Sequence, residues 1–189
     1  MLIRYREPRN VRRQADLMER VVAAGFPAPK VLEVGDCDLV VERVEGPTMF
    51  EDLMLHPERL EAHAALLADL HERLHAIGVC HHDLHPLNVI LGPAGPAVID
   101  WEAADEAPGP TDVAETWLLL ATTDIPEAIR PLADRFLEAF LSHVDREAAR
   151  RALSRAVEHR RHDPHMTEAE LERMDELLVR EGLRASGPA

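Results

Sequence analysis

The sequence predicts an α+β protein, with a small mixed segment over residues 1–46 and a mostly helical remainder over residues 47–189. Three observations carry this. Beyond residue 49, apolar residues recur mainly at helical spacing. Strand-like runs are short and confined to the first 46 residues and to one stretch around residues 89–99. The composition, 46 % apolar and 30 % charged, suits a packed core and argues against both disorder and a membrane protein.

The elements follow in order. Residues 2–5 (LIRY) read as a short strand, and residues 9–24 as a helix with Val11, Leu17, Met18, Val21 and Val22 on one stripe, stopped at Gly25. PAPKVLEVG introduces a second strand, Asp36–Cys37–Asp38 a turn, and LVVERV (39–44) the strand that returns, before Glu45–Gly46–Pro47 breaks the pattern. Residues 58–77 form an amphipathic helix through Leu60, Ala64, Leu67, Leu74 and Ile77, ended by Gly78. Two short apolar runs, Val89–Leu91 and Ala97–Ile99, flank GPAGP and predict a hairpin. Helices are expected at 111–122, 126–142 and 146–160, with Pro131 kinking or dividing the second. The capping box Thr167–Glu168–Ala169–Glu170 opens a last helix to about residue 180, beyond which ASGPA reads as a frayed end.

Charge is unevenly spread. The net −14 resolves into +4 over residues 1–30, −17 over residues 31–144 and −1 over the rest. This acidic balance argues against a nucleic-acid partner, since phosphate backbones are held by Lys and Arg; the −17 stretch reads by default as solvated helix faces, with cationic substrates and divalent metals left as partners it would attract. Cys37 and Cys80 lie too far apart for a CxxC motif, and a reducing cytoplasm is the expected setting. MLIRYREPRNVRRQ offers no apolar signal-peptide core, and the longest strongly apolar run, Trp117–Ala121, is too short to span a bilayer.

Chemistry concentrates on either side of the predicted hairpin: His81–His82–Asp83–Leu84–His85–Pro86–Leu87–Asn88 before it, Asp100–Trp101–Glu102 after it. A hairpin sets its outer ends side by side, so Asn88 and Asp100 should lie close together, with Asp83 on the entering loop. Asn88 and Asp100 then offer an amide and a carboxylate oxygen to one hard cation such as Mg²⁺, which binds through one or two such ligands plus substrate phosphates. Asp83 is left to accept or orient a hydroxyl proton, the layout phosphoryl transfer uses.

HHDLHPLNVIL (81–91) together with VIDWEAA (98–104) resembles the aminoglycoside phosphotransferase and choline kinase group, relatives of the protein kinases. FPAPKVLEVGDCDLVVERVEGPTM, LLADLHERLHAIG and GPTDVAETWLLL resemble the flanking parts of the same family, so the likeness covers roughly residues 10–125. It implies a two-lobed kinase-like fold, with a truncated N-terminal lobe (1–46) and a mostly helical C-terminal lobe (47–189). It also implies an ATP- and Mg²⁺-dependent transfer of phosphate to a hydroxyl of a small molecule, with Asp83 catalytic and Asn88 and Asp100 holding Mg²⁺ against the ATP phosphates. Glu42 and Val44 would lie beside the adenine, His81 and His85 would support the loop, and Asp112 would anchor its backbone.

The chain departs from the family at its start. It contains no Gly-x-Gly, its only lysine is Lys30, and Arg4 stands near the position of the family's phosphate-binding lysine, with Gln14 in place of the paired acid. Arg is not a neutral replacement for Lys. Three readings stay open: a functional variant, a non-catalytic kinase-like nucleotide-binding or regulatory protein, and a chain whose Gly-rich segment is encoded upstream.

Bland readings stand beside the sharp ones. His71–Glu72–Arg73–Leu74–His75 matches HExxH, but the shared face with Leu67 and Leu74 and the absence of an evident third ligand favour a packing or loop-supporting role over zinc. Cys80, His81, His82 and His85 are a weak transition-metal candidate. His159, His162 and His165 read as solvent-facing loop residues, and Trp101 as packing behind Asp100.

Overall fold

The computed structural model describes residues 1–4, 11–162 and 166–183. The first 46 residues form a three-stranded antiparallel sheet, β1 (Leu2–Arg4), β2 (Val31–Val34) and β3 (Asp38–Val41), in the order β1-β3-β2, with helix α1 (Val11–Ala23) between β1 and β2 in sequence. Central β3 buries Leu39 and Val41, and α1 buries Val11, Ala15, Leu17, Met18 and Val21 along one stripe. Such a stripe lets a short sheet with one helix bury a face it could not otherwise cover. The returning strand ends at Val41, earlier than LVVERV suggested: after a last rung from Glu42 N–H to the Lys30 carbonyl (2.8 Å), the chain turns away from the sheet.

That departing segment is pinned to the second sheet, the hairpin of β4 (Val89–Gly92) and β5 (Gly95–Val98). Leu91 N–H donates to the Pro47 carbonyl at 2.8 Å, and Thr48 bridges Ile90. Gly46 adopts φ +146°, and a Cβ there would lie 2.4 Å from the Leu91 carbonyl oxygen, so only glycine fits the approach.

Helices build the rest: α2 (Met49–Leu55), α3 (Leu60–Ala76), α4 (Gly109–Thr122), α5 (Arg130–Ser142), α6 (Arg146–Arg160) and α7 (Glu168–Arg180). The sequence reading passed over α2 as a separate helix, although Thr48 and Glu51 form the same reciprocal capping box that marked α7 at Thr167 and Glu170. Pro131 does not kink a helix. It sits in the first turn of α5, where its missing N–H has no partner to lose, so it marks a start. The last six residues, like His165, lie outside the described residues.

One contiguous apolar core runs from Val11 through Leu67, Trp101 and Phe140 to Leu178. The first part joins it through Phe26, which stacks edge-on against Trp101 (centroids 5.8 Å apart), and through the Arg20–Glu106 ion pair. Among the described residues no helix is long and apolar enough to cross a membrane.

Candidate active site

Residues 81–88 enter the hairpin from a short antiparallel bridge in which Cys80 and Asp105 exchange both backbone hydrogen bonds (2.8 and 3.0 Å). Pro86 opens a single 3-10 turn, Pro86–Asn88, capped by His85, whose ring accepts the Leu87 N–H. Among the described residues only two other than glycine have left-handed backbone, His82 (φ 65°) and Asp100 (φ 64°), and both flank this site. Such conformations cost about 1–3 kcal/mol and persist only where the surroundings enforce them.

The surroundings of His82 do so. Its backbone N–H donates to Asp112 Oδ1 (2.7 Å), its Nδ1 pairs with Glu115 Oε2 (2.5 Å) and its Nε2 with Asp105 Oδ1 (2.7 Å). Burial alone would lower the imidazole's pKa, but hydrogen bonds to Glu115 and Asp105 overcome it and push the value up to about 9. The ring is therefore a cation donating from both nitrogens at neutral pH. His81 is the opposite case: full burial pushes it down to about 4, so it is neutral. Its Nε2–H donates to the Ile99 carbonyl (3.0 Å), and its Nδ1 accepts the Asp83 N–H (3.3 Å). This ring ties the loop to the far hairpin end, the supporting role expected for it.

Asp112, near the N-terminus of α4 and wholly buried, is the hub beneath. Besides the His82 N–H it meets His75 Nε2 (2.8 Å) and His71 Nδ1 (3.2 Å) through Oδ2. Burial opposes its charge, yet His71 and His75 hold its carboxyl well below the ordinary range. His71 also pairs with Thr116 Oγ1 (3.1 Å), which donates to the Leu84 carbonyl (2.7 Å). The HExxH histidines thus have a carboxylate between them. With Asp112 Oδ1 engaged by His82 and His71 engaged by Thr116, the cluster anchors the loop through hydrogen bonds, in keeping with the supporting role expected of His75.

On this foundation stands Asp83. Asn88 Nδ2 donates to Asp83 Oδ2 (2.9 Å) and to the Asp83 carbonyl (2.8 Å), and His85 Nε2 lies 3.5 Å from Oδ2. Burial would raise the Asp83 pKa, but the His85 hydrogen bond and nearby positive groups hold it below the ordinary value. Ile99 N–H donates to the Asn88 carbonyl (2.9 Å), which sets Asp100, the next residue, beside Asn88. Asp83 and Asp100 line one cavity of about 740 Å³. Crowding by protein, then the negative charge of Asp83, push Asp100 above the ordinary carboxylate range. The Asp83 contribution is one that a bound cation would reverse. Trp101 packs behind, its indole N–H donating to the Val98 carbonyl (2.9 Å).

The structure therefore brings Asp83, Asn88 and Asp100 to one corner of the hairpin. Glu42 and Val44 stand apart on the segment leaving β3, with Val44 close against Gly92 of β4. Arg4 pairs with Asp38 across β1 and β3, and its side chain lies outside the described part. Sequence reasoning missed Glu115 and misplaced His159, which is not a loop residue: it lies in the last turn of α6 and pairs with Glu115 Oε1 (3.0 Å). The spacing of Asp112 and Glu115 on one helix was the available signal, since residues three apart share a face.

A loop carboxylate bonded to the asparagine that ends its loop, with a second aspartate across a hairpin, is the layout of a kinase-type phosphoryl-transfer site. Residues 52–153, just over half of the chain, match the model of the Phosphotransferase enzyme family. The protein belongs to that family. No curated protein matches the chain.

Proposed function

We propose that the protein transfers the γ-phosphoryl group of ATP, with Mg²⁺, to a hydroxyl of a small molecule. The observation that carries this is the convergence of Asp83, Asn88 and Asp100. The donor set fits Mg²⁺: Asp100 offers a carboxylate, and Asn88, spending its Nδ2 on Asp83, presents its amide oxygen as the remaining ligand atom. When bound, the ion would draw charge from the ATP phosphates during transfer.

The chain's own residues do the rest. Asp83, kept ionised beside His85, orients the acceptor hydroxyl and takes its proton. Asn88 fixes the Asp83 carboxylate, and the His81 and Asp112 contacts hold the loop so that no reorganisation is needed during the step. Residues 1–46 act as a reduced N-terminal lobe over a helical lobe of residues 47–189. In this arrangement Glu42 and Val44 border the nucleotide, and Arg4 neutralises phosphate in the place of a lysine.

The test is ADP production from Mg·ATP with water as the stand-in acceptor. Asp83→Asn should lower the rate about 10²–10⁴-fold while ATP still binds. A second reading, a non-catalytic nucleotide-binding protein, is favoured by Arg4 and the lack of a Gly-x-Gly segment. It predicts binding with no ADP release from either form.

A further inference from the structure

Asp83 borders two cavities of opposite character. The larger, about 740 Å³, is lined by ionisable groups of both signs, Asp100, Glu102 and Glu115 with His82, His159 and Arg160. The second, about 410 Å³, has walls of Phe50 and Leu53 from α2, Leu120 from α4, and Ile129, Leu132 and Phe136 from α5 or the turn before it. Among the described residues Asp83 is the only carboxylate lining it, with His85 and Arg160 its other ionisable groups. Leu87, 51 % exposed, is also among its lining residues. Its volume lies within the range of small-molecule sites, roughly 300–1,000 Å³.

Resting on the phosphotransferase reading above, we propose that this second cavity receives the acceptor, and that the acceptor is an uncharged alcohol with an apolar body. The attacking and leaving oxygens stand in line in phosphoryl transfer, so acceptor and donor approach from opposite sides. Asp100 lines the polar cavity and not the apolar one, which gives the phosphates the polar side; the two cavities adjoin along Asp83, Leu119 and Arg160, so an acceptor in the apolar cavity meets the phosphates at Asp83. The acceptor oxygen forms the new bond to the γ-phosphorus, and the bond to the β–γ bridging oxygen breaks. ADP leaves with that electron pair, and the hydroxyl proton passes to Asp83 and then to water.

A polycation is a poor occupant. Among the described residues that line this cavity, its only counter-charge would be the Asp83 carboxylate, which the hydroxyl needs. No other acidic residue of the chain's middle is among this cavity's described lining, and three of them are engaged elsewhere: Asp112 with His71 and His75, Glu115 with His82 and His159, Asp52 with Arg59 and His63. The charge of residues 31–144 left a cationic acceptor open, and the lining of this cavity favours an uncharged one.

The experiment measures binding of 4-phenyl-1-butanol, choline and kanamycin to wild type and to Ala133→Trp, which fills the cavity from α5. The alcohol should bind wild type, lose at least tenfold affinity in Ala133→Trp, and resist competition by either cation. Ile129→Asp, a milder change that charges the wall, should weaken the alcohol in the same direction if Ala133→Trp misfolds. Alcohol binding unchanged in both variants, or choline or kanamycin binding more tightly at the same site, overturns the inference. Phosphate from Mg·ATP should reach the alcohol. If Mg·ATP binds through Asp100 but phosphate goes only to kanamycin or choline, the acceptor assignment fails and the phosphotransferase reading survives. If Mg·ATP does not bind at all, that reading fails on its own, whatever the alcohol does.

Discussion

The floor of the site and the first 46 residues are held by different means. Below Asp83, buried charges interlock: Asp112 serves three partners, His82 three, and Glu115 two histidines. In the first part of the chain, a three-residue strand, one helix and a short hairpin are joined to the rest by backbone rungs at Pro47 and Thr48, the Phe26–Trp101 contact and the exposed Arg20–Glu106 pair. Exposed pairs of this kind contribute at most about 1 kcal/mol. The difference teaches that the chain invests its polar order where Asp83 must be held, and connects its first 46 residues through backbone geometry.

Asp112→Ala tests the floor most severely. It strips the acceptor from two histidines and from the strained His82 backbone, and should cost roughly 3–5 kcal/mol in denaturant unfolding. A loss under about 1 kcal/mol would erase the contrast between the two regions. Gly46→Ala tests the joint between them: a Cβ driven toward the Leu91 carbonyl at φ +146° should cost roughly 2–3 kcal/mol. Far-ultraviolet dichroism melts would show the loss, with the helical signal of α3–α7 retained.

The smallest effect is a pH dependence. His82 rises from 6.5 when unfolded to about 9 when folded, so its stabilisation is fully present below pH 6.5 and is lost as pH climbs through 9. The stability difference between wild type and His82→Gln should therefore shrink by on the order of 2 kcal/mol between pH 6.5 and pH 9.5. A difference that stays constant over that window would mean that His82 is not held as a cation.

Much of this was legible in the sequence, for identifiable reasons. Local signals placed the helices other than α2 and the hairpin, and a hairpin's closure sets Asp100 beside Asn88. The part that was not legible depends on separate segments meeting. His159 reached Glu115 only because α6 packs along α4, and Pro131 read as a kink because nothing local fixed where α5 begins. The apolar cavity is a meeting of α2, α4 and α5, which no single stretch of chain could announce.

The most direct test of the central claim needs no acceptor. Melting should be followed with millimolar ATP, with and without Mg²⁺, for wild type and Asp100→Ala. The account predicts a rise in Tm for wild type that requires Mg²⁺ and disappears in Asp100→Ala. No shift in wild type, or an equal shift in both proteins, would contradict it.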